Sequence, residues 1–220
     1  MSTIQINNLT FAYAYSSDII FDKLSLYIDT NWKLGVIGRN GKGKTTLLNL
    51  LCGKYEYKGS IKADVNFEYF PYEIKNPELT PYEIARVYIN DFEDWKLEKE
   101  ISLLDMDSNI LEQKFYTLSK GEQTKVMLAI MFLKENNYLL IDEPTNHLDS
   151  FARVSLANYL KKKKGFMLVS HDRTLLDEVV DHILAINRND ISLEKGNFSS
   201  WYENKTRQDN FELNENEKLK

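Results

Sequence analysis

Gly38-Arg39-Asn40-Gly41-Lys42-Gly43-Lys44-Thr45 is the stretch that decides the fold. It fits the phosphate-binding loop pattern of Gly, four residues, Gly, Lys, then Ser or Thr, which chance produces in roughly one chain in a hundred of this length. Its surroundings narrow it further. The apolar run Trp32-Lys33-Leu34-Gly35-Val36-Ile37 reads as a strand leading into it, and Lys44-Thr45-Thr46-Leu47-Leu48-Asn49-Leu50-Leu51 reads as a helix leaving it, with Gly53 as the cap. In such a loop the glycines let backbone N–H groups approach phosphate oxygens, and the helix N-terminus favours negative charge. Lys44 reaches the β- and γ-phosphates, the Thr45 hydroxyl binds Mg²⁺, and Thr46 follows in the same turn.

Outward from this loop, Tyr138–Ile141, Phe166–Val169 and Ile183–Ile186 are further short apolar runs of the kind buried in a parallel sheet, separated by helical patterns. Ile4–Leu9, Leu24–Ile28 and Ser60–Phe70 predict extra strands, arranged as an antiparallel sheet beside the main one. Between about residues 77 and 118, EIARVYINDFEDWKLEKEISLLDM carries apolar residues at helical spacing among many charges, which predicts a small helical subdomain. After Trp201 the polar stretch YENKTRQDNFELNENEKLK predicts a solvated helix, and the absence of a terminator near Lys220 suggests that the native chain continues. The class is α/β.

Composition sets the broad limits. The 220 residues are 43% hydrophobic and 28% charged, with only 4 Pro and 9 Gly, which excludes disordered, collagenous and low-complexity chains. Val126–Leu133 is the longest apolar run, far short of the roughly 20 residues a membrane span needs. With a single cysteine, Cys52, and no signal-peptide pattern, the expected location is cytoplasmic. The net charge of −5 means that any nucleic-acid contact must come from a local patch, of which Lys161-Lys162-Lys163-Lys164 is the densest. A solvated loop is the simpler reading of that run. No Cys/His cluster has zinc spacing, so Mg²⁺ is the only metal implied.

The strand Tyr138–Ile141 delivers Asp142 and Glu143 to its carboxyl end, the edge at which open α/β sheets bind ligands. Asp142 can then complete the Mg²⁺ shell with Thr45, and Glu143 can orient and deprotonate an attacking water. The next strand ends at Val169 before Ser170-His171-Asp172, so His171 emerges on the same edge, within reach of a γ-phosphate.

Two further motifs resemble a known family. Leu118-Ser119-Lys120-Gly121-Glu122-Gln123 looks like the signature of ATP-binding cassette proteins, and Glu143-Pro144-Thr145-Asn146-His147-Leu148-Asp149 looks like the form typical of the ABC-F group. Lys195-Gly196-Asn197-Phe198-Ser199-Ser200-Trp201 resembles the end of an ABC-F first cassette, so the resemblance covers essentially the whole chain. It implies a P-loop NTPase cassette over residues 1–200, with a RecA-like parallel core, an N-terminal antiparallel β subdomain and the helical subdomain, and an interdomain linker starting at 201–220. It also implies that two cassettes close on ATP. Ser119 and Gly121 would clamp the γ-phosphate of an ATP held by the partner cassette, Asp149 would lie at that interface, and His171 would be the switch histidine. Tyr13 is the foremost candidate to stack on adenine, with Phe11 and Tyr15 as competitors.

The departures from the family pattern also carry information. Lys120, directly before Gly121, replaces a glycine usual in the signature, a variation that ABC-F members tolerate. At Phe70-Pro71-Tyr72-Glu73, where many cassettes carry a Mg²⁺-sensing glutamine that couples to a transporter, this chain has Tyr72. The reading expected is therefore an ATP-hydrolysing ABC-F cassette acting on the ribosome, its rRNA and tRNA. The run from Phe132 to Glu143 resembles the branch that protects ribosomes from antibiotics bound at the peptidyl-transferase centre. The rivals are the nucleotide-binding subunit of a membrane transporter and a nucleotide-gated interaction module with negligible hydrolysis.

Overall fold

The computed structural model describes residues 2–38, 43–187 and 191–218, the side chains only as far as 211 in the last segment. The chain opens with β1 (Thr3–Ala12), β2 (Ile19–Asp29) and β3 (Lys33–Gly38), then α1 (Lys44–Leu51), β4 (Lys58–Ala63) and β5 (Asn66–Phe70). Next come α2 (Pro81–Tyr88), α3 (Asp94–Leu103), two 3₁₀ turns at Ser108–Glu112 and Phe115–Thr117, and α4 (Lys120–Leu133). The remainder alternates: β6 (Asn137–Asp142), α5 (Ser150–Lys161), β7 (Phe166–Val169), α6 (Arg173–Val179), β8 (His182–Ile186), β9 (Ile191–Lys195) and α7 (Phe198–Lys218).

Among the described residues the strands form an antiparallel sheet ordered β2-β1-β4 and a six-stranded sheet ordered β5-β6-β7-β3-β8-β9. The larger sheet is parallel apart from β9, which pairs antiparallel with β8. Its strands read as unbroken apolar runs because both faces are covered. Leu139, Ile141, Phe166, Leu168, Ile183 and Ala185 enter one core with α4, α5, α6 and the helical segment. Their alternate neighbours Tyr138, Leu140, Met167, Val169, Leu184 and Ile186 enter a second core with α1 and the antiparallel sheet. That is the period of two expected of a strand between two layers.

The stretch Ser60–Phe70, expected as one strand of the antiparallel sheet, is two strands in two sheets. β4 pairs with β1, the chain bends at Asp64 and Val65, and β5 then pairs in parallel with β6 along the edge of the main sheet. The polar helix expected after Trp201 begins earlier, at Phe198. Its first turn is seated on α6: Ser199 N–H donates to Asp177 Oδ1 at 2.7 Å, and the Arg173 guanidinium lies over the Phe198 ring. Trp201 packs against the first core, and Tyr202 stacks on Phe198. Cys52 is the half-buried C-cap of α1. Lys54 N–H bonding Asn49 O and Gly53 N–H bonding Leu50 O close that helix in a Schellman motif.

The basic run is divided between roles. Lys161 pairs with Glu178 at 2.6 Å, and Lys163 pairs with the buried carboxylate of Glu100, which also accepts the Tyr159 hydroxyl. Two of the four lysines therefore join neighbouring elements, and Lys162 and Lys164 remain exposed. Among the described residues, no helix is long and apolar enough to cross a membrane.

Candidate nucleotide site

A cleft of about 300 Å³ opens at the carboxyl ends of β6 and β7, lined by Tyr13, Lys44, Thr45, Thr46, Asp142, Glu143 and His171 together with Ile20, Gly43 and Val169. The fold places it there because β3, β7 and β6 are adjacent and parallel, so the segments leaving them emerge on one edge. Two glycines fit the loop after β3 to its neighbours. A Cβ on Gly38 would lie 2.2 Å from Ile186 O, and Gly43 caps α1 with φ 106, where a Cβ would meet Ile20 and Phe21 at 3.0 Å. Gly38, Gly43, Lys44, Thr45 and Thr46 are thus described, and Arg39, Asn40, Gly41 and Lys42 lie outside the described residues.

Lys44 is 8% exposed and its ammonium donates to Gly38 O at 2.7 Å. Burial pulls its pKa down, opposed by Glu143 and Asp142. Thr45 Oγ1 donates to Asp142 Oδ2 at 3.0 Å, which brings the two expected metal-side residues into direct contact. A second donor, Tyr69 OH, reaches the same oxygen at 2.7 Å. Burial and the neighbouring Asp142 raise that phenol far above its ordinary pKa, so it stays a hydrogen-bond donor.

Glu143 sits in left-handed backbone with φ 50, its N–H donating to Val169 O. The Glu143 Oε2 atom accepts the His171 backbone N–H at 3.2 Å. Its other oxygen, Oε1, is buried without a hydrogen bond among the described residues, although His171 Nε2 lies 3.4 Å away, close enough for charge attraction but outside hydrogen-bond geometry. Burial raises the Glu143 pKa above the usual carboxylate range, with His171 opposing the shift. A half-buried carboxylate with one unsatisfied oxygen, facing a cleft beside a lysine, suits proton abstraction from a bound water.

The three candidate aromatics separate cleanly. Phe11 is in the second core, Tyr15 is fully exposed, and Tyr13 lines the cleft with its hydroxyl 2.6 Å from Thr46 Oγ1 and its ring edge against Phe11 and Tyr55.

Ser119, Gly121 and Asp149 are not brought to this cleft. They line a separate depression of about 580 Å³ with Lys120, Lys125, His147 and Phe151. Ser119 caps α4 in a reciprocal box, its hydroxyl accepting Glu122 N–H at 3.2 Å while the Glu122 carboxylate accepts Ser119 N–H at 2.8 Å. Asp149 caps α5 through Ala152 N–H at 2.8 Å. Gln123 holds the approach to α4 by donating to the carbonyls of Phe115 and Leu118.

Tyr72 faces away from the cleft. Its hydroxyl reaches Met127 O at 3.4 Å and its ring meets Tyr88 edge-on. Tyr69, three residues earlier, is the aromatic in contact with Asp142 that the sequence reading missed. An assignment of Ser60–Phe70 to the antiparallel sheet separates it from Asp142, and its contact follows only from the pairing of β5 with β6.

A family profile described as ABC transporter matches residues 21–146. The chain is 30% identical over 210 residues to ABC transporter F family member 2 of Dictyostelium discoideum, covering 90% of this chain and 35% of that protein. It is 31% identical over 197 residues to the ribosome protection protein VmlR of Bacillus subtilis, covering 86% and 35%. To the energy-dependent translational throttle protein EttA of Escherichia coli it is 31% identical over 231 residues, covering 84% and 42%. The chain thus spans less than half the length of these relatives. A dimeric bacterial ABC transporter cassette superposes with a TM-score of 0.71 at 20% identity, covering 87% of this chain and 98% of that one. The profile runs from β2 through Asn146 and so takes in Lys44, Thr45, Ser119, Asp142 and Glu143, and the chain belongs to the ABC transporter family as one of its ATP-hydrolysing cassettes.

Proposed function

We propose that the chain is an ABC-F cassette that binds Mg²⁺·ATP in the Lys44 cleft and hydrolyses it when a second cassette closes over the cleft. The observation that carries this reading is the convergence of Lys44, Thr45, Asp142, Glu143 and His171 on one cleft while Ser119 and Gly121 lie on another surface. Lys44 binds the β- and γ-phosphates, with Gly38 to Thr46 around them, and Tyr13 stacks on adenine. Thr45 and Asp142 offer a hydroxyl and a carboxylate, the hard oxygen set that suits Mg²⁺, which takes few protein ligands and shares the substrate's phosphates. Among the described residues no cluster of three or more His, Cys, Asp or Glu could form a cage of its own, which agrees with a site completed by phosphate. The bound cation neutralises phosphate charge that develops during transfer. Glu143 takes the proton of the attacking water, and His171 orients the γ-phosphate from beside it.

In this reading Ser119 and Gly121 present the α4 N-terminus to the ATP of the partner cassette, with Asp149 at the same interface. The cassette occupies 1–200, its helical subdomain 77–118, and α7 begins the linker. The printed names of two relatives concern ribosome protection and translation, and the segment Glu143–Asp149 resembles the ABC-F form, so the ribosome is the partner this reading assigns. Protection from antibiotics at the peptidyl-transferase centre is the finer role, and the cytoplasm its location.

The test is to express the native gene carrying Glu143→Gln, lyse cells with ATP present, and follow the protein through ribosome, membrane and free fractions. Sedimentation with ribosomes is the expected result. Membrane association instead would support a transporter subunit, the reading that Tyr72 at the coupling position disfavours.

A further inference from the structure

We propose that Tyr69 is a positioning residue for the metal-side carboxylate, fixing Asp142 so that the cleft couples divalent-cation binding to nucleotide binding. The inference rests on the reading of the cleft as a Mg²⁺·ATP site. In the parallel register of β5 and β6, Tyr69 lies opposite Leu140, and Asp142 is two residues further along on the same face. A tyrosine is long enough to cover that diagonal, and its hydroxyl supplies the donor at the far end. Its hydroxyl donates to Asp142 Oδ2 at 2.7 Å, the oxygen that Thr45 Oγ1 also reaches at 3.0 Å.

Two donors on different elements, one on β5 and one on α1, restrict the rotation that a carboxylate on a strand end would otherwise have. The Tyr69 ring is itself held. It is partly buried and packs against the second core, and Lys54 Nζ sits 4.4 Å from its centroid, on the residue whose N–H closes the Schellman end of α1. Hydroxyl, ring and strand register therefore fix one geometry before any ligand enters. Partners of this kind, one bond behind a metal ligand, tune cation affinity by roughly 10- to 100-fold. Tyr72 has no such contact: its hydroxyl reaches only Met127 O, on α4.

The test uses the full chain and a non-hydrolysable fluorescent ATP analogue, titrated with EDTA and again with saturating Mg²⁺. The ratio of the two affinities measures the coupling. Tyr69→Phe is expected to cut that ratio by roughly tenfold while leaving the EDTA affinity within about twofold, and Tyr72→Phe to change neither. Asp142→Asn, measured alongside, reports on the underlying site. If Tyr69→Phe keeps the full ratio while Asp142→Asn loses it, Tyr69 has no positioning role. If Tyr69→Phe weakens binding equally with and without Mg²⁺, its role is structural and the inference is overturned. If Asp142→Asn also keeps the ratio, or Mg²⁺ has no effect on the unaltered chain, the cation-site reading fails first.

Discussion

The Lys44 cleft and the Ser119 depression are both built at helix N-termini, but they differ in where their polar groups are directed. In the cleft, groups far apart in sequence meet one another: Thr45 meets Asp142, His171 meets Glu143, and Lys44 turns back to Gly38. In the depression, the polar groups face their own helices, with Ser119 bound to Glu122 and Asp149 to Ala152. The first is a set of contacts between separate elements; the second is a pair of well-capped helix ends. Among the described residues, Ser119 and Gly121 line the depression and not the cleft, so the two sets of groups lie on different surfaces of one chain.

The sharpest way to break this contrast is Glu143→Gln. Loss of a general base costs about 10²- to 10⁴-fold, so phosphate release should fall at least a hundredfold while equilibrium ATP binding changes little. An equal loss of binding would place Glu143 in recognition rather than in hydrolysis. A second measurement concerns the depression. If Ser119 and Gly121 serve a neighbour's nucleotide, turnover per chain should climb with chain concentration, by roughly tenfold across a dilution series that spans association. Turnover per chain that is independent of concentration would show that one chain suffices.

The next effect is on pH. Burial raises the Glu143 pKa, and the base must be deprotonated to accept a proton. As pH falls through that raised value, kcat/KM should decline, with the acid limb lying above the ordinary glutamate value of about 4.3. A limb at the ordinary value would mean that the carboxylate meets water in the working form. The smallest expected effect is Ser119→Ala, which removes a cap contributing about 1 kcal/mol and should lower Tm by about 2 to 4 °C. Calorimetry checks it, and no change would mean that Glu122 alone holds the α4 terminus.

Much of this was legible in the residues themselves. The four core strands, the α1 cap at Gly53 and the grouping of Lys44, Asp142, Glu143 and His171 follow from apolar runs that end in polar residues on one edge. What escaped was non-local. Whether Asn66–Phe70 joins β1 or β6 depends on which sheet has an open edge, and nothing in its own composition decides between them. That error hid Tyr69. The fate of the lysine run was equally hidden, because the acids that engage Lys161 and Lys163 come from α6 and α3, at Glu178 and Glu100.

Glu143 was described above with φ 50, in the left-handed region that side chains bearing a Cβ occupy only at a cost. Such a conformation costs of order 1 to 3 kcal/mol and persists only where its surroundings impose it. The residue proposed to perform the chemistry is therefore also one at which the chain is less stable than it could be. Glycine at 143 would relax the backbone and abolish the base in one step, so thermal tolerance and turnover pull in opposite directions at this position.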